Sequence, residues 1–366
     1  MASNSFGTFL RITTWGESHG KAIGVIIDGC PAGVSLNNEE INLELKKRAP
    51  GKNPYVSPRK EPDCAEIYSG LFEDKTTGSP ISIIIFNQDH NPKAYESNKH
   101  LLRPGHANFT YLQKYGAFDY RGAGRASARE TACRVAAGAV AKKILKEINV
   151  EIIAYVCEIG GISISPYKPS SFSKLRETVD SSPLFCPDLA ISTKMSALID
   201  QVKTDEDSLG GVIECVTSSL PIGLGDPIYE KLEANLAKAM LSIPASKGFE
   251  FGSGFKAAQM RGSDHNDLFT LKKGQIVTQT NHAGGTLAGI TNGAYLITRT
   301  AFKPTSSIAR IQQTVNLDGN KEELIPSKKS RHDPCVAIRA APVVEAMTAL
   351  VLADAYLMNR GARLYP

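Results

Sequence analysis

VVEAMTALVLADAYLMN, the stretch at residues 343–359, decides the fold of this 366-residue chain because it is apolar on nearly every side. Glu345 and Asp354 are its only charged residues. A helix that is hydrophobic all round has to be surrounded by other elements or by lipid. With this length and two carboxylates, the stretch is too short and too charged to span a bilayer. The sequence therefore predicts a buried helix over Val343–Asn359, between other layers of a soluble protein.

A second helix, predicted over Ala128–Ile148, has both a start signal and an apolar face. Ser127 and Glu130 show the S-x-x-E spacing of a capping box. Helical spacing places one apolar face on Ala132, Val135, Ala136, Ala139, Val140 and Ile144.

Short β-branched runs alternate with further helical stretches along the chain. The predicted strands are Ala22–Asp28, Ile81–Phe86, Glu151–Cys157, Val212–Thr217 and Ala294–Arg299. The other predicted helices are Asn38–Lys47, Met195–Lys203 and Asp226–Leu241. Ser163–Ser182 is rich in Ser and Pro and is predicted to be a loop or a tolerated insertion, and Gly248–Thr280 is interpreted as a mobile flap. Taken alone, these elements do not distinguish a mixed α/β protein from an α+β protein.

Composition restricts the class of protein. Hydrophobic residues make up 42% of the chain and charged residues 22%, which is typical of a folded protein with a large core. The net charge of +5 is compatible with an ordinary basic protein, with nucleic-acid binding, or with a site for an anionic small molecule. The seven cysteines include no C-x-x-C pair, and residues 1–20 lack a targeting segment. We therefore expect a reduced, cytoplasmic location without a zinc cluster.

Five stretches concentrate Gly, His, Arg and Ser beyond what folding requires. They are Gly16–Gly20 (GESHG), Arg103–Asn108 (RPGHAN), Arg121–Thr131 (RGAGRASARET), Lys303–Ser307 (KPTSS) and Arg331–Arg339 (RHDPCVAIR). In the third, arginines flank a glycine-rich turn that leads into a helix, an arrangement suited to a phosphate or carboxylate. A turn with solvated arginines explains it equally well. It is neither a P-loop nor a dinucleotide fingerprint, since it lacks the G-K-[ST] ending and a preceding strand.

The histidines are candidates for acid–base work. His19 and His106 occupy loops, where an imidazole is accessible and can hold or release a proton near neutral pH; each alone is also compatible with a surface hydrogen-bonding role. Asp333 either acts as a base or caps the turn before Pro334. No metal-ligand spacing is present, so we predict no metal. The residues alone thus indicate an enzyme for an anionic substrate, with the reaction undefined.

All five stretches, in this order, resemble the signature blocks of the chorismate synthase family. The resemblance extends from Gly7 to about Leu357 through the blocks Arg48–Gly51, Glu61–Asp63, Asp207–Gly211, Asn281–Gly285 and Ala341–Met347. It implies an α+β fold, a β-α-β sandwich of antiparallel sheets around central helices, formed by one domain over residues 1–366. It also implies a homotetramer.

The resemblance further implies a reaction and residue roles. The reaction is the anti-1,4-elimination of phosphate and a C6 hydrogen from 5-enolpyruvylshikimate 3-phosphate (EPSP), which requires reduced FMN without net redox change. His106 would be the general acid for the phosphate, His19 would serve the flavin, and Asp333, aided by Ser127, would take a proton. Substrate contacts would fall on Ser18, His19, Arg48, Arg103, Arg129 and Arg339. FMN contacts would fall on Arg125, Ala126, Ser127, Pro244, Ala245, Ala288, Lys303, Pro304, Thr305, Ser306, Ser307 and Arg331.

The chain departs from the family pattern in few places. Pro54 stands where many members carry a second arginine, and Lys52, Arg59 or Lys60 is expected to substitute for it. Ala49 and Ala288 replace residues that are often Arg and Gly. No reductase module is visible, so we expect an external flavin reductase, with NADPH acting only through it.

Two other functions are compatible with parts of the sequence. An FMN-dependent oxidoreductase acting on an anionic small molecule would keep the flavin site and transfer hydride. A nucleic-acid-binding protein would use the basic loop Lys46–Lys60, but Tyr55 is the only aromatic residue there. We therefore expect neither a nucleic-acid nor a membrane partner.

Overall fold

The two five-stranded sheets that frame the molecule are antiparallel throughout. A computed structural model describes residues 3–89, 92–166, 171–326 and 332–364. The strands of its first sheet, in spatial order, are β1 (Ser5–Phe6), β2 (Arg11–Gly16), β3 (Ala22–Asp28), β7 (Ile81–Phe86) and β4 (Ala65–Ser69). Those of the second are β11 (Ser246–Phe251), β16 (Tyr295–Phe302), β10 (Gly211–Ser219), β8 (Ile152–Ile159) and β9 (Ile162–Ser163).

Four two-stranded hairpins lie outside these sheets. They are β5–β6 (Leu71–Phe72 and Lys75–Thr76), β12–β13 (Phe269–Lys272 and Gln275–Thr278), β14–β15 (Thr286–Leu287 and Ile290–Thr291) and β17–β18 (Gln312–Val315 and Lys321–Leu324). The helices of the described chain are α1 (Asn38–Arg48), α2 (Asn108–Tyr115), α3 (Thr131–Lys146), α4 (Phe172–Ser181), α5 (Leu189–Thr204), α6 (Leu232–Leu241), α7 (Gly262–His265) and α8 (Ala337–Asn359).

Helices α3 and α8 form the central layer between the sheets. Helix α3 contacts β3 and β7 of the first sheet, whereas α8 contacts β8 and β10 of the second. The two helices approach closely at Gly138, where an added Cβ atom would lie 2.4 Å from the Cβ of Ala346. A larger residue at position 138 would therefore separate the helices. The predicted α+β sandwich around central helices is confirmed.

Helix α8 is buried along nearly its whole length, as predicted. Among the described helices it alone is long and apolar enough to cross a bilayer, and 89% of its apolar window is buried inside the protein. It begins at Ala337, earlier than the predicted Val343, and includes Pro342. Pro342 is the sixth residue of the helix, so it removes the hydrogen bond that an amide there would donate to the Ile338 carbonyl, and the buried packing of α8 outweighs this loss.

The predicted loop Ser163–Ser182 is wrong over most of its described part. Helix α4 occupies Phe172–Ser181, and the Ser171 side chain accepts a hydrogen bond from the backbone N–H of Lys174. Leu175 and Val179 are buried against the outer face of the second sheet. The serine that we interpreted as a loop signal is the N-cap, a position that serine favours.

The predicted capping box is also wrong in part. Ser127 accepts from the N–H of Arg129 and caps a short 3₁₀ helix, Ala128–Glu130, that precedes α3. The Glu130 carboxylate turns instead to the Arg134 guanidinium, at 2.9 Å. The predicted apolar face of α3 is confirmed, since all six of its residues are buried.

Candidate active site

A cavity of about 480 Å³ opens where loops from both sheets meet the N-terminal end of α8. This volume lies within the range of small-molecule sites. The cavity brings together most of the residues predicted from the sequence. Those that line it are Ser18, His19, Arg48, Arg103, His106, Ala126, Ser127, Arg129, Pro244, Ala245, Lys303, Pro304, Thr305, Ser306, Ser307, Asp333 and Arg339.

Three predicted residues do not contribute to the described lining. Arg125 points to strand β2, where it donates to the carbonyl oxygens of Thr14 at 2.6 Å and Gly16 at 3.3 Å. Ala288 lies at the turn of the β14–β15 hairpin with φ 53°. Arg331 lies outside the described residues.

His19 is fixed at the floor of the cavity by its neighbours. Its Nδ1 lies 2.9 Å from the Ser18 hydroxyl oxygen, and the Tyr95 ring meets the imidazole edge-on at 5.2 Å. Gly122 approaches so closely that a Cβ atom there would lie 2.7 Å from the His19 Cε1. Because Gly122 also has φ 76°, glycine is the residue that this approach permits.

His106 sits among positive charges. The Arg103 guanidinium donates to His106 Nδ1 at 3.2 Å, so the free imidazole carries its proton on Nε2. Burial lowers the pKa of His106 to about 3, helped by the charges of Arg103, His332 and Lys303. The free protein therefore holds His106 neutral at physiological pH, which differs from the charged acid that the sequence suggested.

Arg48 and Arg129 of the cavity lining belong to a buried ionic cluster. The guanidinium groups of Arg48 and Arg129 both contact the Asp63 carboxylate, with Arg48 Nη1 at 2.6 Å from Oδ2. All three side chains are almost completely buried. Arg59 pairs with Glu61 at 2.5 Å beside them. The charges of Arg48 and Arg129 hold the pKa of the Asp63 carboxyl below its usual value despite its burial, so Asp63 stays ionised.

Asp333 is held by three contacts. Its Oδ1 accepts from the Ser57 N–H at 2.7 Å, and its Oδ2 accepts from Arg339 Nη1 at 2.9 Å. Its carbonyl oxygen accepts from the Thr305 hydroxyl at 3.1 Å. The carboxylate is thus aligned on the cavity wall, and half of its acceptor sites are already used.

The structure indicates which residue faces the cavity in the basic loop that carries Pro54. Arg59 lines the cavity, whereas Lys52 and Lys60 do not. Of the three candidates, Arg59 is therefore positioned to supply the missing cation.

Several lining residues escaped the sequence reasoning. Tyr95 and Tyr120 line the cavity, and the Arg103 guanidinium lies 5.6 Å from the centre of the Tyr95 ring. Asp63 was recognised only as part of a motif, without a role. The sequence feature that could have drawn attention to Asp63 is the pair of acidic residues, Glu61 and Asp63, inside a basic segment. Nothing in the sequence around Tyr95 indicates its place.

The family model described as chorismate synthase matches residues 10–357. The chain is 56% identical to the chorismate synthase of Protochlamydia amoebophila, with 100% of each chain covered. It is 50% identical to that of Opitutus terrae, with 97% and 96% covered. A solved structure, "Crystal Structure of Chorismate Synthase", superposes with a TM-score of 0.78 at 36% identity, covering 97% of this chain and 94% of that one.

Proposed function

Because this chain belongs to the chorismate synthase family, we propose that it eliminates phosphate and the C6 hydrogen from EPSP to form chorismate, with reduced FMN as cofactor and no net redox change. The observation that carries the proposal is the cationic cavity that brings Arg48, Arg103 and His106 together. The reaction makes the protein a carbon–oxygen lyase of aromatic amino acid biosynthesis.

The arginines match the charges of the proposed substrate. EPSP carries a phosphate and two carboxylates, and removing such groups from water requires compensating cations. Arg48 and Arg129 are buried, and Arg103 and Arg339 are partly buried, so each acts in an environment that screens charge weakly. This supports binding of all three anionic groups of EPSP by the arginines of the cavity wall.

His106 would acquire its proton through the substrate. A phosphate dianion beside Arg103 offsets the positive charge that now lowers the His106 pKa, and it favours the imidazolium directly. Protonation also requires Arg103 to release Nδ1, which a competing phosphate acceptor makes possible. His106 then donates a proton to the leaving phosphate as general acid.

The lining also fits FMN by the chemistry of its donors. Lys303 and the hydroxyls of Thr305, Ser306 and Ser307 suit a phosphate tail, while Ala126, Pro244 and Ala245 present small apolar surfaces suited to a flat ring. When bound, reduced flavin would supply transient electron density to the carbon skeleton. His19, oriented by Ser18, would hold a proton near the flavin, and Asp333 would accept one.

Assembly and location remain parts of the proposal. One face of the β12–β13 hairpin is apolar and exposed at Phe269, Leu271 and Ile276, and Leu271 directly opposes Ile276. Exposed apolar patches mark association surfaces, which supports a homotetramer. We further propose a cytoplasmic enzyme without nucleic-acid or membrane partners, supplied with reduced FMN by an external, NADPH-dependent flavin reductase. Burial of Arg48 in the basic loop argues against use of that residue by a nucleic acid.

An anaerobic assay with EPSP and chemically reduced FMN tests the proposal. We expect several molecules of chorismate and phosphate per flavin, with FMN still reduced at the end. Stoichiometric oxidation or reduction of the substrate would instead establish the FMN-dependent oxidoreductase. Absence of any product with FMN bound would overturn the elimination.

A further inference from the structure

Asp63 has no role in the reaction proposed above, yet it joins two arginines of the cavity wall. Its Oδ2 lies 2.6 Å from Arg48 Nη1, and its Oδ1 contacts Arg129 Nη1. The Asp63 side chain is wholly buried, so water cannot replace either contact. Each carboxylate oxygen therefore serves one guanidinium group.

The other contacts of Arg48 leave part of its donor capacity for a ligand. Its Nε donates to the Thr131 hydroxyl at 3.0 Å, and its Nη2 donates to the Ala128 carbonyl at 3.2 Å. A guanidinium group has five N–H donors. Two of the five on Arg48 thus have no partner within the described part of the chain.

Arg129 is restrained in the same way. Its Nε donates to Asn87 Oδ1 at 2.8 Å, and its Nη2 donates to the Phe86 carbonyl at 3.4 Å. Its Nη2 also lies 3.9 Å from the Glu61 carboxylate, so at least one N–H group of Arg129 lacks a hydrogen-bond partner among the described residues. Two arginines that would otherwise repel each other thus stand side by side with several donors to spare.

We propose that Asp63 is a positioning residue that holds Arg48 and Arg129 together as a clamp for one anionic group of the substrate. The proposal rests on the function proposed above for the same cavity. Asp63 itself does not touch the substrate. It acts by fixing the separation of the two guanidinium groups and by offsetting their mutual repulsion.

The electrostatics of Arg48 agree with this geometry. Burial, together with the charges of the neighbouring Arg339 and Arg129, lowers the pKa of Arg48 to about 10. Asp63 opposes this change most strongly, and Asp333 contributes less. Without Asp63, the Arg48 pKa would move down toward the working pH, and binding of an anion would weaken as the pH rises.

The backbone dictates which substitution is informative. Asp63 has φ 51°, a left-handed conformation that Asp and Asn tolerate better than longer residues. Asp63→Asn therefore keeps the backbone and shape while removing the charge. The neighbouring Glu61 accepts from the N–H groups of Gln88 at 3.1 Å and Asp89 at 3.0 Å, which anchors the segment independently of Asp63.

Steady-state kinetics of Asp63→Asn test the proposal. We expect KM for EPSP to rise roughly tenfold to a hundredfold, since the variant disturbs hydrogen bonds between charged groups. The kcat should fall less, FMN affinity should stay unchanged, and KM should rise further at alkaline pH. Asp354→Asn is the matched control, because Asp354 is a buried aspartate on α8 that accepts from three backbone N–H groups. It should lower Tm and leave KM unchanged.

A second variant separates position from charge. Asp63→Glu keeps the carboxylate one methylene further from the backbone, so we expect a raised KM without the alkaline dependence. An unchanged KM in folded Asp63→Glu contradicts the positioning role, as does a normal KM with a flat pH profile in Asp63→Asn. If Asp63→Asn does not fold, the KM of Asp63→Glu alone decides.

Inorganic phosphate makes the test independent of turnover. A ligand that binds only the folded protein raises its Tm. We expect phosphate to raise Tm less in Asp63→Asn than in the wild type and in Asp354→Asn. An inactive wild-type protein would overturn the proposed function, whereas equal phosphate effects in all three proteins would overturn the clamp.

Discussion

Two buried charge clusters in this protein use similar groups in opposite ways. In the core, the Glu345 carboxylate on α8 meets Lys142 at 2.5 Å and Arg176 at 3.0 Å, and it accepts from the N–H of Ala154 at 3.0 Å. Its pKa is lowered well below the usual range by the charges of Lys142 and Arg176. In the cavity, burial lowers the pKa of His106, and the positive charges of Arg103, His332 and Lys303 lower it as well.

The two clusters differ in whether their positive and negative charges balance. The core cluster supplies its own counter-charges, so it stabilises the folded chain and needs no ligand. The cavity contains an excess of cations, and such an excess is stabilised when an anion arrives. Burial of charged groups alone therefore does not distinguish a structural network from a binding site. The balance of positive and negative charges has to be considered as well.

Substitution of His106 should produce the largest effect on the cavity side of this comparison. We expect His106→Ala to lower kcat by about 10²- to 10⁴-fold, the usual contribution of a general acid. FMN affinity and Tm should change little, and both are measured beside the turnover number. His100, an exposed residue that pairs with Glu322, provides the control, since His100→Ala should keep normal kcat. Near-normal turnover of His106→Ala would remove the acid role.

Substitution of Glu345 should break the core cluster instead. Glu345→Gln removes the buried carboxylate that Lys142 and Arg176 share, while Lys142 keeps its contact with Glu44. We expect about 3 kcal/mol of lost stability in denaturant unfolding. KM for EPSP should stay within the wild-type range. Asp180 contacts the same Arg176 at the surface, at 3.7 Å, so Asp180→Asn should cost little. Equal effects of the two substitutions would contradict the assignment of the core cluster.

The pH dependence of stability sharpens the same point. The folded-state pKa of Glu345 is below its unfolded value, so its contribution is present above about pH 4.3 and is lost as the pH falls. The stability difference between wild type and Glu345→Gln should therefore narrow in acid. Denaturant unfolding curves of both proteins at neutral and acidic pH measure this difference in stability. A difference that stays constant with pH would exclude an ionic origin of the Glu345 contribution.

Substitution of Arg125 should have the smallest effect, because Arg125 does not line the cavity and contacts strand β2 instead. Arg125→Ala removes hydrogen bonds to strand β2 next to the loop that carries Ser18 and His19. We expect FMN affinity to fall by several-fold, about 1 kcal/mol, as measured by flavin fluorescence. Arg121, which pairs with Asp119 at the surface, is the matched control. Unchanged FMN affinity would place Arg125 outside the flavin site altogether.

Much of the fold was predictable because hydrophobic patterns dominate it. The strands Ala22–Asp28 and Ile81–Phe86 are confirmed at both ends, and the apolar helix lies between the sheets as expected. The failures have local causes. Ser171 was interpreted as a loop residue although it caps α4, and the apolar helix was predicted to begin at Val343 although α8 begins at Ala337.

The cavity was predictable in composition but not in arrangement. Resemblance to a family indicated the residues of five stretches, and the fold brings most of them together. Contacts between distant segments could not be read from the chain. Asp63 lies far in sequence from Arg129, and no local pattern indicates that they touch. Nor could the sequence show that His106 is neutral, since burial and neighbouring charges determine its pKa.

The most direct test of this account is whether binding of the substrate charges His106. Titration calorimetry of EPSP into the enzyme with oxidised FMN, repeated in buffers of different ionisation enthalpy, measures the protons taken up on binding. At neutral pH we predict that the wild type takes up close to one proton more than His106→Ala. The variant serves as the reference because ionisation of the substrate phosphate contributes equally to both proteins. Equal proton uptake by the two proteins would contradict the claim that the anion completes the cavity and creates the acid.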